Sequence, residues 1–192
     1  SPVYDGKLAL TSNALLKTKA FKPGWIGSDI TKQLFFKSTY RPDSVVLLKP
    51  TDKKYPGKGG RTLIDLEKGS LDDFGSGKWI AYRQNEMEAM MVFGKPVEAK
   101  IVSISTMKNI GGFVFPPLSV EVWGGENEKQ LKLLSKVIPT QPTKESTKAK
   151  DFINSENLVI DCRFKPTEVK FIKLIVTPVP KLPKWHEGKK EK

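Results

Sequence analysis

Trp79, Tyr82 and Arg83 place two aromatic rings and a guanidinium within five residues, immediately before the alternating run Glu86 to Phe93. A flat apolar ring face and planar donors are what a pyranose requires of a site, one for its C–H surface and the other for its hydroxyls. The same residue types also open buried strands. Trp79, next to Ile80, reads as core packing, whereas Tyr82 and Arg83 are the better loop candidates. Carboxylate pairs occur at Asp72 and Asp73 and at Glu86 and Glu88. Neighbours in a turn, or alternate residues on a strand, do not face each other across a cleft as an acid and base pair must. One cysteine, Cys162, and one histidine, His186, exclude an internal disulfide and the usual Cys/His zinc clusters. They also confine any nucleophile and base arrangement to His186, and no nucleophile elbow is present. Cys162 alternates with its neighbours in LVIDCRF and reads as a half-buried strand position.

The elements that would position these groups are strands. Helical periodicity is nearly absent, and short alternating runs recur between turn residues, many of them among the 14 prolines and 15 glycines. Strands are expected at KLALTS, LLKTKAF, TKQLFFKS, SVVLLK, EMEAMMVF, AKIVSIST, SVEVWGG, KLLSKVI, NLVIDCRF and VKFIKLIVTPV, with GGENEK as a hairpin turn. In the run from Glu86 to Phe93, Met87, Ala89, Met91 and Phe93 share one face. The chain of 192 residues is long enough to bury an ordinary core. No apolar run approaches the length of a membrane span, so it reads as a soluble globular chain without membrane insertion. The beginning SPVYDGK carries neither an initiator Met nor a signal peptide and reads as a processed or excised start. Net charge is +12, from 33 Lys and Arg against 21 Asp and Glu. The basic residues are mostly Lys and are scattered, so a solvated surface is favoured over a nucleic-acid or other polyanion site.

Two parts are expected. Residues 1–37 hold two or three strands, too few to close a sandwich alone. Residues 38–192 supply enough for a two-sheet sandwich with Greek-key or jelly-roll connections. Residues 139–151, PTQPTKESTKAKD, read as a long exposed loop within it.

Two blocks carry a resemblance. SPVYDGKLALTSNALLKTKAFKPGWIGSD is similar to the second half of the small β module attached to bacterial chitobiases and β-hexosaminidases, the fibronectin-type-III-associated module. Residues 61–188, through TLIDLEKGSLDDFGSGKWIAY, EMEAMMVFGKPVEAKIVSIS, GGFVFPPLSVEVWGG and VKFIKLIVTPVPKLPKWHEGK, resemble the discoidin or coagulation-factor type C domain. That family is a galactose-binding-like jelly-roll β-sandwich, in which a further apolar strand ending on an acidic pair would follow Lys192. The resemblance implies a structural calcium ion at Leu63, Asp65, Lys68 and Ser70, held by a carboxylate, carbonyls and a hydroxyl, with Gly69 supplying an unusual backbone angle. A plain Asp-capped turn is the alternative. It also implies a glycan site among the loops at one end of the sandwich, where Tyr82 and Arg83, Lys108, Asn109 and Phe113, and Trp185 and His186 fall. Asn109 also suits a turn, one of Phe113 and Phe115 should pack inward, and Trp185 and His186 could merely plug the sandwich.

The resemblance therefore implies a noncatalytic carbohydrate-binding module of a larger periplasmic, cell-surface or secreted protein, a glycoside hydrolase such as a β-hexosaminidase. Its partners would be a galactose- or N-acetylhexosamine-type glycan and the neighbouring domains, with no nucleic acid. The alternative is a structural or protein-interaction sandwich without a glycan site.

Overall fold

The computed structural model describes residues 3–190 except 5, 13, 36 and 84. The chain forms two units, Ser1–Arg41 and Pro42–Lys192. In the first, β1 (Ala14–Thr18) and β2 (Thr31–Phe35) pair antiparallel from Ala14 opposite Phe35 to Thr18 opposite Thr31. The alternation at KLALTS does not become a strand: residues 7–11 have no regular structure, and Leu8 and Leu10 are exposed.

The second unit holds β3 (Ser44–Leu47), β4 (Met87–Asn109), β5 (Ser119–Gly125), β6 (Lys132–Val137) and β7 (Ser155–Thr177) in one antiparallel order, β3-β4-β7-β5-β6. β7 inserts between β4 and β5, a crossover of the Greek-key kind. The only helical pieces among the described residues are short 3-10 turns; one, Glu128–Gln130, lies in the turn expected at GGENEK.

Two expected strands on each side merge. EMEAMMVF and AKIVSIST become one strand of 23 residues, as do NLVIDCRF and VKFIKLIVTPV up to Thr177. The segments between them, which hold Gly94 and Pro96 on β4 and Pro166 on β7, are bulges rather than strand ends. Val92 pairs with Phe171 and Val97 with Val169, so β4 advances five residues against two on β7. Ile101 pairs with Arg163 and Ala99 with Thr167, so β7 then advances four against two. Pro96 and Pro166 lack the N–H that a regular ladder needs at those places, and a bulge spares them that bond. The Asp43 carboxylate accepts from the Gly94 N–H and caps the first bulge.

These bulges fold the ribbon over. Straight, a strand of 23 residues would run about 75 Å. Yet Asn109 is bridged to Val114, and Leu118, four residues further on, donates to the Thr177 carbonyl beside the start of β4. The two ends of β4 therefore lie less than about 35 Å apart. The two halves close on one core as the layers of a β-sandwich. That core joins Met87, Ala89, Met91 and Phe93 to Ile104, Ile160, Cys162, Val169, Ile172 and Leu174, with Val120 and Val122 from β5. The inward parity on β4 changes across the irregularity at Lys100, from odd positions through Ala99 to Val102 and Ile104.

Cys162 is fully buried rather than half-buried as its alternation had implied. Burial, with the Asp161 carboxylate beside it, pushes the thiol up to about 11. Iodoacetamide at mildly alkaline pH should leave the folded protein unmodified and alkylate it fully in guanidinium. Ready native labelling would contradict this core.

Candidate functional site

β4 ends in a tight hairpin. Asn109 and Val114 exchange backbone hydrogen bonds, both at 2.8 Å, and the loop between them turns on a Phe113 N–H bond to the Ile110 carbonyl at 3.0 Å. Asn109 Oδ1 accepts from the Gly112 N–H at 2.8 Å, so Asn109 serves the turn. Asn154, just before β7, ties the loop down, accepting from Gly111 N–H through Oδ1 at 3.1 Å and from Ile110 N–H through its carbonyl at 3.1 Å.

Phe113 has φ +65° although two glycines precede it. A bulky residue in the left-handed region costs about 1–3 kcal/mol and persists only where its surroundings hold it. The C-terminal corner holds it. The Phe113 ring lies 5.3 Å from the His186 ring, and a Cβ on Gly188 would stand 2.1 Å from the Phe113 ring edge. Only glycine lets the corner approach so closely.

His186 is buried and fully used. Its Nδ1 accepts from the Gly188 N–H at 3.2 Å, which leaves Nε2–H to donate to the Ile110 carbonyl at 2.8 Å. Trp185 at 5.8 Å and Phe115 at 5.5 Å from His186 complete an aromatic cluster. Phe115, half-buried against Trp185 and His186, is the more covered of the two rings, and neither joins the core. Phe113 is 53% exposed and presents the cluster's outward face.

The structure thus unites Asn109, Phe113, Trp185 and His186, and gives the other sequence candidates different partners. Tyr82 packs against the core, its hydroxyl donating to the Lys49 carbonyl at 3.2 Å, and burial raises its phenol above the usual range. Arg83 Nε pairs with Asp52 at 2.8 Å. Lys108 is buried, ion-paired with Glu156 directly across the ladder and 4.8 Å from the Phe152 ring centre. These contacts tie it to the loop before β7. Open depressions of 560 Å³ along Leu47–Pro50 and 340 Å³ beside Lys108 and Phe152 do not include Phe113.

The proposed calcium turn has another purpose. Trp79 lies against Gly69, where a Cβ would come within 2.1 Å of the indole, and donates from Nε1 to the Ser70 carbonyl at 2.8 Å. Close approach, not a left-handed angle, explains Gly69; the left-handed residue here is Leu66, at φ +62°. Asp65 accepts from the Glu67 N–H at 2.9 Å and from the Lys58 ammonium at 3.3 Å. Lys68 reaches Ser105 at 3.1 Å, Ser70 accepts from the Asp72 N–H at 3.1 Å, and Leu63 packs on the core. One carboxylate beside an ammonium does not fit a cation that takes six to eight oxygens. Added calcium should therefore leave the melting temperature unchanged, and so should EGTA; a rise of several degrees with calcium would place an ion in this turn.

No protein-family model matches the chain, and no curated protein does. Among solved structures it is similar to "CBM32 of AlyQ in complex with 4,5-unsaturated mannuronic acid", at 12% identity and TM-score 0.42, over 72% of this chain and 84% of that one. It is also similar to "Truncated AlyQ with CBM32 and alginate lyase domains", at 12% identity and TM-score 0.42, over 71% of this chain and 28% of that one. A likeness at this level assigns no ligand.

Proposed function

We propose that residues 42–192 form a noncatalytic carbohydrate-binding module, with Phe113 as its stacking platform. The observation that carries this reading is an exposed ring held in a strained backbone by a buried histidine and a glycine that only close packing requires. Strain retained at an exposed position points to a use for that position. A pyranose laid on Phe113 would bury its C–H face, while the Asn109 amide, bonded through Oδ1 to the Gly112 N–H, holds the turn that presents the ring. Affinity on such an open platform is modest, because each sugar hydroxyl exchanges water for protein.

The sequence resemblance supports a galactose- or N-acetylhexosamine-type ligand, a parent protein of the β-hexosaminidase kind, and a periplasmic, surface or secreted location. The catalytic work would belong to another domain of that parent. In this chain the pair Glu86 and Glu88 is committed to structure: Glu88 lies between Lys173 at 2.8 Å and Lys49 at 2.6 Å, and these ammonium groups hold its carboxyl below the usual range.

Calorimetric titration with galactose and N-acetylglucosamine tests the reading. Phe113→Ala should weaken binding about tenfold by removing the stacking face. Since Ala at φ +65° keeps the backbone strain and loses the His186 contact, it should also lower the melting temperature, and binding is compared well below both transitions. Arg83→Ala should leave binding unchanged. Equal binding by Phe113→Ala, or binding to no member of a glycan array, would overturn the reading and favour a structural or protein-interaction sandwich.

A further inference from the structure

The loop joining β1 to β2 is assembled by local signals. Ser28 closes it, donating its N–H to the Ala20 carbonyl at 3.0 Å and accepting from the Ala20 N–H through Oγ at 2.9 Å. Within it, Lys22-Pro23-Gly24-Trp25 form a turn closed by Trp25 N–H to the Lys22 carbonyl at 3.0 Å, with Gly24 at φ +77°. Proline second and a left-handed glycine third are the type II pattern. Gly27 leaves space that its neighbours use: a Cβ there would stand 2.7 Å from Lys19 Cε and 3.1 Å from the Phe21 ring.

This ordered loop holds apolar groups out in water. Phe21 is 79% exposed, Trp25 71% and Ile26 100%. Each ring carries its own cation, the Lys22 ammonium 4.8 Å from the Trp25 ring centre and the Lys19 ammonium 5.3 Å from that of Phe21. A disordered linker would cost less than fixing such groups in the open.

We propose that this loop is a second ligand site, for a linear acidic glycan whose sugar rings stack on Trp25 and Phe21 while their carboxylates or sulfates pair with Lys22 and Lys19. Paired cations on aromatic faces select a ligand that is apolar in one plane and negative at its edge, as a uronate chain is. A lipid surface suits the loop less well, because rings that carry ammonium groups on their faces enter hydrocarbon only by desolvating those charges. The chain's net charge of +12 adds attraction for any polyanion. The site stands on observations separate from the Phe113 platform.

Affinity electrophoresis of the full chain through gels containing polygalacturonate, with neutral galactan as control, tests the proposal. Polygalacturonate should retard the protein. Trp25→Ala changes no charge and replaces an exposed residue, so it should keep the melting temperature and raise the dissociation constant about tenfold. Lys22→Gln should weaken retardation and flatten its salt dependence, while Phe113→Ala should not alter it. Equal retardation of Trp25→Ala and the parent would reduce the effect to general charge attraction and overturn the proposal. Absence of retardation would do the same, as would Trp25-dependent binding to phosphatidylserine vesicles in place of the polysaccharide.

Discussion

The doubling back of the β4–β7 ribbon is the constraint on which the larger unit depends. Two strands of 23 residues can share one core only if both bend at matching places. The bulges at residues 93–96 and 164–166 achieve this, each built around a proline that could not have served a regular ladder there. On β4 the inward parity is kept across the first bulge and changes at the second irregularity, so that Val102 and Ile104, which would point outward on a regular continuation from Ala99, point into the sandwich. Asp43, at the entry to β3, holds the first bulge through Gly94.

The aromatic cluster is a consequence of that closure. Folding the ribbon brings the hairpin after β4 to the same end of the sandwich as the chain after β7. There the corner around His186 seals a hairpin whose own sequence does not favour its shape. His186 donates from Nε2–H to the Ile110 carbonyl, and Gly188 leaves room for Phe113. The stabilisation of each contact is small, about 1 kcal/mol for the neutral hydrogen bond and a similar amount for the ring pair. Together they match the strain that Phe113 carries.

How far this was legible in the sequence differs from element to element. The alternation of Met87, Ala89, Met91 and Phe93 identified an inward face directly, since all four are buried. The Gly94 to Pro96 stretch read as a strand end because a bulge and a turn use the same residues, and only the register of a strand some 70 residues away distinguishes them. Phe113 and His186 were recognisable as chemistry-bearing residues, but their union depends on tertiary closure. Gly69 and Gly188 were harder still: a glycine kept for the close approach of a distant ring leaves no local mark. Lys108 looked like a loop ligand beside Asn109, whereas Glu156, which pairs with it, lies across the ladder. Nothing in the local sequence records that partnership.

The central claim is that closure of the ribbon lets the C-terminal corner clamp the hairpin through a neutral histidine. The most direct measurement is NMR of the His186 side chain, combining long-range nitrogen–proton correlation with ring-to-ring Overhauser effects. The account predicts a protonated Nε2, an unprotonated Nδ1 and contacts from the imidazole to the Phe113 ring. A proton on Nδ1 in the neutral ring, or the absence of contacts to Phe113, would contradict it.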